Sequence, residues 1–224
     1  MKKILIALLA CLPLMSYAQN TWEAPEPDST QSAAAVHKKK TALFETKKKK
    51  AEDPKYLAGA VPEVNGRVVF TLDRDVPGMS AEQIYNKVYQ AIQQITKEPN
   101  QFPTSKIAVV NKGEHTLAAR IKEWLVFQNT FLSYDRSIFN YTLIAHSTDG
   151  HIKVTMERLS YQYETDRPDT QGMEANAESW ITDKEALNKK KNKLVKYSAK
   201  FRRKTIDRKD NIFGKICQAL NLKY

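Results

Sequence analysis

Two charged residues stand where the surrounding pattern is apolar, and they are the first candidates for chemistry. Between Thr116 and Phe127 the chain alternates as a strand, and Leu117, Ala119, Ile121, Glu123, Leu125 and Phe127 share one face. Glu123 is thus a carboxylate in an apolar row. Either a strand end or bulge turns it outward, or it is a buried acid paired with a base such as Arg202. Arg202 lies in the apolar arc of a C-terminal helix. It either snorkels into water past the end of the sheet or points into a cavity beneath the helix and meets an anion. Lys209 falls in the same arc, and Arg203 follows Arg202 in the sequence.

The other chemistry-bearing residues make no recognisable set. The four histidines are His37, His115, His146 and His151. His146 and His151 fall diagonally on one face of a hairpin, where strand pairing places no carboxylate beside them, so they read as surface residues and not as metal ligands. Cys217 lies at the edge of the helical apolar arc and reads as packing. A Gly-rich phosphate loop, a G-x-S-x-G turn and an H-E-x-x-H helix are all missing. No catalytic residue, cofactor or metal is expected from these patterns.

The elements that must position these residues are legible. Ser179–Tyr224 is helical in pattern. Thr182 with Glu185 forms a capping box, flanked by Ile181 and Ala186 as a hydrophobic staple, which predicts a helix from Thr182 to about Lys196. Tyr197-Ser198-Ala199 is a break, and Ser198 caps a final helix. In that helix Phe201, Thr205, Ile212, Phe213, Ile216, Ala219 and Leu220 form a broad arc, with Ile206 and Cys217 at its edge, as for a helix lying on a sheet.

Upstream, Arg67–Leu72 reads as a strand. Ser80 with Gln83 caps a helix that carries Ile84, Val88, Ala91, Ile92 and Ile95 on one face and ends before Pro99. Strands follow at Ser105–Asn111 and Thr116–Phe127. Asp149-Gly150 signals a type I′ hairpin. With Thr148 opposite His151, the side chains of Tyr141, Leu143 and Ala145 share a core face with Ile152, Val154 and Met156. Leu159, Tyr161 and Tyr163 then fall on the other face. A bulge near Glu157 would move them inward, and without it they form an exposed aromatic patch suited to binding. The polar loop from Thr165 to Ala177 is a candidate lid.

Charge is distributed unevenly. The whole chain has 36 basic and 25 acidic residues, yet residues 184–224 alone hold 14 basic against 3 acidic. Such a stripe reads either as a footprint for an anionic surface through residues 184–209 or as a solvated helix face. Residues 61–183 hold 12 basic and 16 acidic residues, which argues against a nucleic-acid duplex on the sheet. Met1–Ala18 reads as a secretory signal, with Lys2 and Lys3, an apolar run from Ile4, and the small-x-small end Ser16-Tyr17-Ala18. The run is too short to span a membrane, and the rest of the chain contains no transmembrane helix pattern. Leu8-Leu9-Ala10-Cys11 also matches a lipoprotein cleavage box, which would anchor the protein at Cys11. Residues 19–58, with two lysine runs and few large apolar residues, read as a disordered tether. Residues 59–224 then form one domain.

Four blocks in one order carry a resemblance: Gly59-Ala60-Val61-Pro62-Glu63-Val64; Val76-Pro77-Gly78-Met79-Ser80 with Ile84-Tyr85; Trp180-Ile181-Thr182-Asp183 with Ala186-Leu187-Asn188-Lys189; and Lys200-Phe201-Arg202-Arg203-Lys204-Thr205-Ile206-Asp207. Over roughly residues 59–222 the chain resembles domain of unknown function 4468, a family of exported Bacteroidota proteins with a TATA-binding-protein-like fold. The residue pattern gives the order β-α-β-β-β-β-α, and the resemblance implies an antiparallel sheet gripping a long helix; together they predict an α+β fold with a five-stranded sheet and a long C-terminal helix packed on it. The resemblance implies no activity. In that lineage Asp28-Ser29-Thr30 is similar to an O-glycosylation site.

These readings together predict an exported, noncatalytic envelope domain, periplasmic or extracellular, that binds a ligand or an envelope protein. Glu123, Tyr161, Tyr163, Trp180, Arg202, Arg203 and Lys209 are the candidate surface. The competing expectation is a structural or membrane-surface assembly role through the basic C-terminal helices.

Overall fold

A computed structural model describes residues 51–131, 133–166 and 168–224. The signal, Cys11, His37, Asp28-Ser29-Thr30 and most of the tether lie outside them. In chain order the elements are a 3-10 turn at Pro54–Tyr56, β1 (Glu63–Val64), β2 (Arg67–Val68), β3 (Phe70–Asp75), α1 (Ala81–Ile95), β4 (Lys106–Asn111), β5 (Thr116–Thr130), β6 (Ser133–Thr148), β7 (His151–Tyr163), β8 (Met173–Asn176), α2 (Ala177–Trp180), α3 (Asp183–Ala186) and α4 (Ala199–Ala219). All the strand pairs are antiparallel. The main sheet runs β3-β7-β6-β5-β4. β8 adds a sixth strand, pairing with β7 beyond the end of β3. The predicted lid loop therefore contains a strand, because Met173–Asn176 satisfies backbone groups that the end of β7 would otherwise leave open.

The α1 capping box forms as expected: the Gln83 amide donates to Ser80 Oγ, and the Ser80 amide donates to Gln83 Oε1. The helix buries Ile84, Tyr85, Val88, Ala91, Ile92 and Ile95. They pack with Leu117, Ala119, Ile121, Leu143, Val154 and Met156 of the sheet, and with Ile212, Phe213 and Ile216 of α4, in one core.

Residues Thr148 and His151 pair, and the predicted register holds as far as Thr142 opposite Glu157. The turn itself is not type I′, which needs positive φ at both central residues. Only Gly150 has it, at +69°. The Asp149 carboxylate is instead drawn to the start of α1, where it accepts from the Ala81 amide at 2.8 Å. Farther along, the register shifts by one between Asn140 and Thr142. Arg158 takes a left-handed φ of +57° there. This is the bulge anticipated near Glu157. It turns Leu159 and Tyr161 into the core, where both are buried, so the alternative of an aromatic patch on the outer face does not arise.

The helix predicted over 182–196 is only one turn, Asp183–Ala186. Thr182 makes no side-chain cap and instead donates to the carbonyl of Glu178. Leu187 and Leu194 form an isolated bridge, closing a loop over Lys189, Lys190 and Lys191. On a helix Lys189 and Lys193 would be like-charge neighbours four apart, which weakens it, and Asn188 offers the backbone an alternative by bonding the amides of Asn192 and Lys193. Ser198 does stand at the N-cap of α4, but without a side-chain cap bond. Described contacts also reach ahead of residue 59: Asp53 caps the turn at 54–56, and Glu52 is bonded to Arg203.

Candidate functional site

The bulge at Arg158 has a consequence at the far end of β7. Once Tyr161 and Tyr163 point inward, they meet Phe201 in the first turn of α4. Phe201 lies edge-on to Phe127, Tyr161, Tyr163 and Trp180, with ring centroids at 4.6, 5.2, 5.5 and 5.9 Å. Tyr161 is fully buried, stacks on Phe139, and shares a 2.7 Å hydrogen bond with Thr205.

Beside this cluster opens a groove of about 740 Å³, whose walls include Tyr163, Met173, Trp180, Tyr197, Lys200 and Phe201. β7 supplies Tyr163, β8 supplies Met173, α2 supplies Trp180, and the start of α4 supplies Lys200 and Phe201. The turn ahead of α4 adds Tyr197, which is 71% exposed. The loop from β7 to β8 forms the rim. Gly172 there has φ +63°, and a Cβ on it would sit 3.0 Å from the Thr165 backbone, so the rim packs tightly on itself. The indole Nε1 of Trp180 is buried and has no hydrogen-bond partner among the described residues.

Lys200 is the charged group of the groove. Its Nζ donates to both Asp135 oxygens, at 3.0 and 2.8 Å, and to Tyr163 Oη at 2.9 Å. It also lies 4.1 Å from the centre of the Tyr163 ring. Burial works against its charge, but the bonds to Asp135 and Tyr163 prevail and hold it above the ordinary lysine range. Burial raises the Tyr163 phenol, with Lys200 opposing. The groove thus presents aromatic and thioether surface and an ammonium already neutralised by Asp135. It suits a ligand with a flat or apolar body.

The sequence-derived site residues divide between this groove and the framework. Tyr163 and Trp180 line the groove, and Tyr161 lies behind it. Met173, Tyr197, Lys200 and Phe201 complete the groove and lie outside the sequence-derived set. In the sequence Tyr197 marks a helix break, and its aromatic type beside basic residues is the available signal.

Arg202 neither snorkels nor meets a cavity anion. It is wholly buried and donates to the carbonyls of Tyr56, Leu57 and Ile181 at 2.7, 2.6 and 2.6 Å, and to Asp183 Oδ1 at 2.7 Å. Asp183 Oδ2 accepts in turn from the Gly59 amide. The guanidinium fork ties the domain's first residues to α3 and α4. Glu123 is buried, as its acid reading required, but its partner is Arg208 and not Arg202. An enzyme built on Glu123 with Arg202 therefore has no joint site. Arg203 grips Glu52 with two bonds, and Lys209 is held by Asp210 and Tyr224.

The histidines differ from expectation in one respect. His146 bonds Thr116, but β3 places carboxylates beside His151, which contacts Asp73 and Asp75 at 2.9 and 3.0 Å. Among the described residues no group of three or more ligating side chains is arranged to hold a metal ion. Cys217 is buried, and burial pushes its thiol up, away from reactivity. A wider depression of about 920 Å³ on the uncovered sheet face is lined by Arg120, Lys122, Asn140 and Thr142 among others. The aromatic residues on that face are already engaged: Arg136 lies 3.5 Å above Trp124, which also packs on Phe102.

No curated protein is significantly similar to this chain. A crystal structure of a TBP-like protein from Parabacteroides distasonis ATCC 8503 matches 72% of the chain and 97% of its own, at 22% identity and a TM-score of 0.58, and shows a shared fold. The crystal structure of a DUF4468 family protein from Bacteroides ovatus ATCC 8483 is 39% identical, covering 78% of this chain and 98% of its own, with a TM-score of 0.71. Residues 70–162 match the family model described as a domain of unknown function (DUF4468) with TBP-like fold, and with the Bacteroides relative this shows that the chain belongs to the DUF4468 family.

Proposed function

We propose that the protein is an exported, noncatalytic binding domain of the cell envelope that seats a small ligand in the groove between the β7–β8 end of the sheet and the start of α4. The observation that carries this reading is the groove itself: four aromatic rings and a thioether line it, and one of those rings belongs to the exposed Tyr197. Export rests on the signal pattern of residues 1–18.

Trp180 reports the test. Organic extracts of the native envelope, titrated into the protein, shift the emission of Trp180. The shift persists in a Trp124→Phe variant, whose altered ring is on the other sheet face, and disappears in Trp180→Phe. An emission change that follows Trp124, or no change with any fraction, removes the groove from consideration.

A further inference from the structure

The positive charge of the C-terminal stretch is not where its sequence suggests. On α4, internal acids take up most of it: Lys200 pairs with Asp135, Arg202 with Asp183, Arg203 with Glu52, Arg208 with Glu98 and Glu123, Lys209 with Asp210, and Lys215 with Glu98. The helix is close to neutral as a surface. Apart from Lys204 and Lys223, the unpaired charge lies ahead of it, on Lys189, Lys190, Lys191, Lys193 and Lys196, all exposed. Among the described residues none of these five has an ion-pair partner. The sequence contains no acidic residue between Glu185 and Asp207.

These lysines sit on a built element. The Leu187–Leu194 bridge closes it, with the Asn188 amide donating to the Lys193 carbonyl at 2.9 Å and the Val195 amide to Ala186 at 2.8 Å. Inside the bridge Asn188 Oδ1 accepts from the amides of Asn192 and Lys193, and Lys191 adopts φ +54° to complete the turn. The exposed Tyr197 ring follows directly.

We infer that the 187–197 loop is a docking element for an anionic lipid surface. Its charged groups are all lysine, a compact point charge on a flexible stem, which suits many headgroup phosphates in no fixed geometry. The planar arginine forks of α4, which would read bases or a single bidentate phosphate, are committed internally at residues 202, 203 and 208. An amphipathic tyrosine next to the cluster matches the chemistry of a membrane–water boundary, where one end of the ring is wet and the other apolar. The inference does not depend on a groove ligand.

The test is vesicle co-sedimentation of the full chain. Lysines near an anionic leaflet contribute roughly fivefold each to partitioning. A loop variant carrying Lys189→Gln, Lys190→Gln, Lys191→Gln and Lys193→Gln therefore partitions at least about 100-fold more weakly onto phosphatidylcholine vesicles containing about one-third phosphatidylglycerol at low salt. Two controls of equal charge loss, Lys47–Lys50 all to Gln, and Lys106, Lys112, Arg120 and Lys153 all to Gln, lose markedly less. Tyr197→Ala weakens binding further at salt concentrations that screen the lysines. The inference is overturned if the loop variant sediments like the wild type, if either control loses as much, or if the loop variant loses only affinity for a single-stranded oligonucleotide. Because the variant leaves Tyr163, Trp180 and Phe201 in place, its Trp180 response separates failure here from failure of the groove.

Discussion

Arg208 on the last helix and Glu123 in the middle of β5 meet inside the core, through hydrogen bonds of 2.8 and 2.7 Å. Glu123 is inaccessible, and it also accepts from Tyr141 Oη at 3.1 Å, Asn100 Nδ2 at 3.1 Å, and Gln101 Nε2. Arg208 reaches Glu98 as well, at 2.9 Å, and Glu98 binds Lys215. A buried ion pair offsets its desolvation only when its remaining hydrogen-bonding sites are filled. Here they are, and the result fixes α4 against β5 and the 98–101 segment.

Removing one partner therefore leaves the other charge stranded. Arg208→Met is expected to destabilise the protein by about 3–5 kcal/mol in urea unfolding. Combining it with Glu123→Leu recovers part of the loss, because the double variant no longer buries an uncompensated carboxylate. Equal destabilisation by the single and double variants would show that the pair does not act as a unit.

Arg202 makes a second framework prediction. Arg202→Lys keeps the charge but cannot serve three carbonyls and Asp183 from one ammonium, so it is expected to cost about 2 kcal/mol or more. The groove response of Trp180 stays intact at temperatures where the variant is folded. Loss of ligand binding in a fully folded Arg202→Lys protein would instead make Arg202 part of the site.

Alkaline unfolding follows from Tyr141 and Tyr161. Burial raises both phenols, helped at Tyr141 by the Glu123 carboxylate; at Tyr161 the Thr205 hydrogen bond opposes the rise. A phenol with a raised folded pKa holds its proton in the native state while the unfolded chain loses it. The stability from these two groups is thus complete below about pH 10 and is lost as pH climbs above that ordinary tyrosine value. Ultraviolet titration should show the two ionising only with unfolding. Early, reversible ionisation of every tyrosine in the folded protein would contradict their burial.

The bulge gives a prediction of opposite sign. Arg158 pays the left-handed backbone penalty at φ +57°. Its side chain is largely exposed, so Arg158→Gly is expected to stabilise the protein by about 1 kcal/mol. Thermal unfolding measures this, and destabilisation would mean that the Arg158 side chain contributes more than the backbone strain removes.

How much the sequence disclosed depends on whether local pattern or distant contact governs each part. The Ser80–Gln83 box, the α4 arc and the Thr148–His151 register are periodic or local signals, and all appear in the fold. The Thr182–Glu185 box was equally regular yet failed, because clustered lysines and the Asn188 bracket favoured a loop. Glu123 stands out in its apolar row, but its partner lies 85 positions away, and sequence pattern points to Arg202 in the apolar arc of α4 and not to Arg208. The groove was harder still. Tyr163, Met173, Trp180 and Tyr197 come together only after β8 pairs with β7, and a four-residue strand of Met173–Asn176 carries too little alternation to be read in advance.

Native mass spectrometry on protein isolated from its own envelope without denaturation tests the central claim most directly. The account predicts a small bound mass on the wild-type protein, retained after Lys189–Lys191 are changed to Gln and lost when Tyr197→Ala is combined with Met173→Ala. A ligand-free mass for the wild type, or a bound mass that survives the groove double variant, would contradict it.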